Sequence, residues 1–127
     1  MMAPPWIEAV VRDFGRAAGL GDFALNAQGV AALRFENGVA LRFEFTGDEL
    51  AIATTVPAPG DPASARRILA FSHPSARFGF KVRSGQLAKS GAAVFAVRLA
   101  AQDVTLPAVN AVFGVLWHIA IEMGGAA

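Results

Sequence analysis

Hydrophobic and polar positions alternate strictly from Val30 to Val56, and three strands can be registered from that alternation alone. The first puts Ala31, Leu33 and Phe35 on one face and Ala32, Arg34 and Glu36 on the other. The second sets Val39, Leu41, Phe43 and Phe45 against Ala40, Arg42 and Glu44. The third sets Leu50, Ile52, Thr54 and Val56 against Ala51, Ala53 and Thr55. A two-residue turn at Asn37-Gly38 would pair Phe35 with Ala40 and send the apolar faces to opposite sides. A three-residue loop, Glu36-Asn37-Gly38 with Gly38 left-handed, instead pairs Leu33 with Leu41 and Ala31 with Phe43. A two-residue turn at Gly47-Asp48 then pairs Phe45 with Leu50 and keeps all three strands on one apolar face.

The flanks change period. Trp6 to Ala18 carries Ile7, Val10, Val11, Phe14 and Ala18 at helical spacing, with Pro5 suited to the first turn and Gly19 to a left-handed stop. A short helix is expected from Pro62 to about Ser72, capped by Asp61 and presenting Ala65, Ile68 and Leu69. A fourth strand is expected where Phe78, Phe80 and Val82 alternate with Arg77, Lys81 and Arg83. A small-residue loop, Ser84 to Gly91, and a fifth strand, Ala92 to Leu99, follow. Leu106 to Met123 reads as a final helix whose polar positions, Asn110, His118 and Glu122, fall with Gly114 on one narrow stripe. The fold class is therefore α+β: a helix, a three-stranded antiparallel meander, a short helix, two strands and a C-terminal helix. Residues 1–127 are expected to form one domain. The last helix is apolar enough to be weighed as a membrane span. Pro107, its polar stripe and the lack of flanking Lys or Arg favour a helix buried between sheet and partner.

Composition adds one fact of consequence. Residues 1–61 carry four basic and eight acidic side chains, whereas residues 62–102 carry seven basic side chains and no acid. Cysteine is absent, which excludes disulfides and thiolate metal sites and fits a reducing compartment. The N-terminal Met1-Met2-Ala3-Pro4-Pro5 lacks a basic region followed by an apolar core, so no signal peptide is expected.

Catalytic patterns are missing. His73 and His118 have no acid or cysteine at ligand spacing, so no metal is expected. His73 reads as a turn residue and His118 as a core or interface histidine. Gly19-Leu20-Gly21 follows a helix, so it is no phosphate loop, and no serine sits in a nucleophile elbow. No cofactor and no enzymatic activity are expected. The chain reads as a binding protein.

The runs Phe14 to Leu20, Phe23 to Gly29 and Leu33 to Leu41 resemble the class I type III secretion chaperones, the Tir-chaperone or CesT-like family. In that family a first helix ends near Phe-Gly and Leu-Gly-Leu. A Leu-x-Leu-Asp-x-x-Gly stretch, where Asn26 stands here for the Asp, and a Leu-x-Phe strand follow. The resemblance implies a sheet covered by helices, in a cytoplasmic bacterial homodimer. It also implies binding of the N-terminal segment of a secreted effector as an extended peptide, held export-competent. Trp6, Ile7, Val10 and Phe14 are the expected effector-binding residues, with Trp6 and Ile7 as exposed anchors beside shallow pockets left at the helix margin over Leu33, Phe35, Leu41 and Phe43. Ile68, Leu69, Phe78, Phe80 and Val82 are the expected dimer seam. Arg77, Lys81 and Arg83 are expected to face a partner, or Glu36, Glu44 and Glu49 of the other subunit. Two other functions compete: nucleic-acid binding through the basic 62–102 segment, which lacks an exposed aromatic platform, and carriage of a small molecule.

Overall fold

The structure is a computed structural model that describes residues 2–58, 62–71 and 80–123. The elements are α1 (Pro5–Ala17), β1 (Val30–Arg34), β2 (Ala40–Thr46), β3 (Glu49–Val56), α2 (Pro62–Phe71), β4 (Arg83–Gln86), β5 (Ala93–Ala100), a short 3-10 turn (Ala101–Asp103) and α3 (Leu106–Glu122). The five strands form one antiparallel sheet in the order β1-β2-β3-β5-β4. β1 and β4 are therefore its edges.

The meander has the expected register. Leu33 faces Leu41, Ala31 faces Phe43, Phe43 faces Ile52 and Phe45 faces Leu50. Gly38, at φ 87°, makes the three-residue loop, while the Phe35 N–H donates to Val39 and the Gly38 N–H to Phe35. Asn37 adds a side-chain acceptor for the Val39 N–H at 3.0 Å. In the link from α1 to the sheet, Asn26 Oδ1 accepts from the N–H groups of Gln28 and Val30. The asparagine side chain thus does the turn-making that an aspartate could do.

One face of the sheet is covered. Leu41, Phe43, Leu50, Ile52, Val56 and Phe95 are fully buried there, beneath α1 and α3. Phe14 of α1 stacks on Phe43 at 5.2 Å between ring centroids, and its edge meets Phe113 of α3 at 5.3 Å. Gly15 lets α1 approach the link, since a Cβ there would lie 2.8 Å from the Phe23 carbonyl oxygen. α1 ends in a Schellman motif: the Leu20 N–H donates to the Gly15 carbonyl and the Gly19 N–H to that of Arg16. Thr54 sits in the same core with no exposed surface, and its hydroxyl finds no hydrogen-bond partner among the described residues.

Two expectations need correction. The fourth strand forms at Arg83–Gln86, so that all but Arg83 of it lies in the stretch expected to be a loop. Ser84, Gly85 and Gln86 have no apolar alternation. They become a strand because β5 offers a hydrogen-bonding edge and the Leu87–Ala92 reverse turn folds them onto it. Of the expected strand, Phe80 and Val82 precede β4, while Arg77 and Phe78 lie outside the described residues, as do Asp61 and His73. His118 is not a core residue: it is exposed and pairs with Glu122 one helical turn on, Nε2 to Oε1, at 2.9 Å. Finally, no described helix is long and apolar enough to cross a membrane.

Candidate functional site

The elements leave three surfaces that could meet another molecule. The first surrounds α1. Its apolar stripe is Ile7, Val11 and Phe14, spaced four and three apart, and that stripe is turned into the core. Trp6, one position off the stripe, is 48% exposed, while Ile7 is 0% exposed. Ile7 is thus no exposed anchor but part of the fold, and Phe14 is equally buried. Val10 is half-buried. Of the four residues expected to hold a peptide, only Trp6 and part of Val10 are accessible. Leu33, Phe35, Phe113 and Trp117 form a further half-buried margin near the β1 edge, with Phe35 edge-on to Trp117 at 4.9 Å. Leu33 and Phe35 lie on the face where shallow pockets were expected beside α1, but the part that Phe113 and Trp117 of α3 play in this margin was missed, since the spacing within each element does not encode the contact of Trp117 with Phe35.

The second surface is the β4 edge with α2. Ile68 and Val82, expected at a seam, are core residues of this chain. Leu69 is 65% exposed, Leu87 is 47% exposed and Phe80 is half-buried. A shallow apolar hollow of ≈ 170 Å³ lies between Ala65, Ile68 and Leu69 of α2 and Gly85 and Gln86 of β4. Arg66, Lys81, Arg83 and Lys89 are exposed in this half of the chain. Arg67 is committed within the chain, since its guanidinium donates to the Glu122 carbonyl at the end of α3.

The third surface is the sheet face turned away from α1 and α3. One row across it reads Arg34, Ala40, Thr55, Val94 and Gly85. The next reads Ala32, Arg42, Ala53, Ala96 and Arg83. The middle is a platform of small side chains rimmed by arginines. In a third row Glu44, Ala51 and Arg98 lie side by side, and two arginines of this face are matched inside the chain: Arg42 with Glu44 at 3.4 Å, and Arg98 with Glu49 at 3.1 Å. Glu44 and Glu49 each meet an arginine of their own chain. Such exposed pairs add on the order of 0–1 kcal/mol each to stability.

Solved structures share this architecture. The ExsC–ExsE complex contains a chain 19% identical to this one, with a TM-score of 0.76, over 94% of this chain and 92% of that one. The Yersinia pestis type III secretion chaperone SycH, solved with a fragment of YscM2, is 15% identical at a TM-score of 0.71, covering 92% and 98%. A chain of the Pseudomonas aeruginosa ExoT–SpcS complex is 17% identical at 0.65, covering 94% and 98%. No curated protein sequence matches the chain. At these identities the structures establish the fold: that of the type III secretion chaperones. The family model for the type III secretory system chaperone SycN matches residues 6–123, and the chain belongs to that family. The class expected from the Phe14 to Leu41 motifs therefore stands, with SycN as the family that matches.

Proposed function

We propose that this type III secretion chaperone binds the N-terminal segment of a secreted effector as an extended peptide and keeps it export-competent in the cytoplasm. Catalysis and cofactors have no part in this reading. The observation that supports it best is the division of surfaces. The core lies beneath α1 and α3, while among the described residues the β1 edge, an aromatic margin and a small-residue sheet face are left open. A free edge offers backbone hydrogen bonds to an added strand, and adjoining hollows select alternate side chains. The neighbouring SycH and SpcS structures are themselves complexes. Trp6, Val10 and the margin at Leu33 and Phe35 are the proposed contacts of the effector.

A homodimer completes the reading, built on the β4 edge and α2. Leu69 and Phe80 are its proposed contacts, with Ile68 and Val82 supporting them from beneath and Phe78 belonging to the same proposed seam. The basic side chains Arg77, Lys81 and Arg83 are proposed to face a protein partner. Deletion of the chain from its native cell should lower secretion of one particular protein without changing its transcript. Light scattering at micromolar concentration should give twice the chain mass. Unaltered secretion of every exported protein would refute the proposal.

A further inference from the structure

At one end of the open sheet face lies a cavity of ≈ 330 Å³, bounded by Arg34, Thr55, Pro57, Ala58, Leu87 and Ser90. Three segments distant in sequence build it: the β1–β2 hairpin, the chain leaving β3, and the turn between β4 and β5. Its wall is fixed, because a Cβ at Gly38 of the hairpin would lie 3.1 Å from the Pro57 ring, so the two segments are pressed together. Among the described residues the lining contains no acid. Arg42 and Arg98 on the same face each have a glutamate, whereas among the described residues Arg34 has no carboxylate within ion-pair distance. The cavity thus joins an apolar wall, two hydroxyls and one unmatched guanidinium.

We propose that this cavity is the anchor site for the bound effector segment. One large apolar side chain seats against Pro57, Ala58 and Leu87, and a neighbouring Asp or Glu of the same segment pairs with Arg34. The charge argument fixes the acid. A peptide laid over the cavity would take water from the guanidinium, and a covered charge without a partner is strongly unfavourable. A carboxylate restores the lost hydration with two parallel hydrogen bonds. A neutral or basic segment would leave Arg34 covered and unmatched, so the same residue that welcomes an acidic segment rejects others. This inference rests on the reading of the chain as a peptide-binding chaperone and adds which segments it accepts.

Selection of a random phage-displayed peptide library against the full chain tests it. Enriched peptides should share a large apolar residue next to Asp or Glu. A labelled consensus peptide should lose at least about tenfold in affinity on Arg34→Glu and on Leu87→Asp. Changing the peptide's acid to Lys should restore binding to Arg34→Glu alone. Arg34 and Leu87 are exposed, so the melting temperatures should stay within about two degrees of the parent. Enriched peptides whose affinity is indifferent to Arg34→Glu would overturn this site while leaving peptide binding in place. Failure to enrich any peptide would contradict the peptide-binding reading itself, and this proposal with it.

Discussion

The two faces of the sheet are made by the same strands yet obey opposite rules. On the covered face β2 and β3 present Leu41, Phe43, Leu50 and Ile52, and aromatic rings from α1 and α3 interlock above them. On the open face the alternate residues are Ala40, Ala51, Ala53 and Thr55, all small and half-buried. Large side chains on that face would demand a second layer of the chain's own. Small ones permit the face to stay uncovered without a large exposed apolar area. The difference separates what holds the fold from what is left available to a partner. A surface of this kind can gain or lose affinity by substitution while the core is left alone.

The contrast is broken most sharply by paired substitutions. Phe43→Ala should cost about 3–5 kcal/mol in urea unfolding, because it empties a site where Phe14 and Phe23 both meet the ring. Ala53→Ser, at the centre of the open face, should stay within about 0.5 kcal/mol. Equal losses at the two positions would mean that the open face is also load-carrying.

Next in size is the pair at the start of α1. Ile7→Ser should destabilise by about 2–4 kcal/mol, since Ile7 is wholly buried. Trp6→Ser should leave the melting temperature within a degree or two and weaken only effector binding. A large loss of stability at Trp6 would assign it to the fold. Thr54→Val sharpens the comparison from the other side. It removes a buried hydroxyl that has no partner among the described residues and keeps the shape, so it should stabilise by about 1 kcal/mol. The smallest effect is expected from Arg98→Ala, which removes an exposed pair with Glu49. It should cost about 0–1 kcal/mol, less at high salt.

Much of this was legible in the residues. Alternation and two glycine turns settle the meander's register, because a one-residue slip would turn Phe43 and Leu41 to water. The spacing of Ile7, Val11 and Phe14 already separates Ile7 from Trp6. Trp6 and Ile7 nevertheless read as a joint anchor, because Val10, Val11 and Phe14 already supply a stripe for the sheet. β4 was not legible, since Ser84-Gly85-Gln86 owes its extended form to pairing with β5 and not to its own pattern. The open-face cavity was equally hidden. It depends on β5 inserting between β3 and β4, an order that alternation within each strand does not encode.

The most direct test of the division is hydrogen exchange on the chain alone and on its complex purified from the native cell. Binding should add protection at the strand edges, the Trp6 turn and the open face, while amides of Leu41, Phe43 and Ile52 keep the slow exchange they have in the free protein. The captured segment should exchange quickly wherever it does not touch the chaperone, as an extended chain does. Protection gained chiefly in the core beneath α1 and α3, or a captured partner protected throughout like a folded domain, would contradict the account.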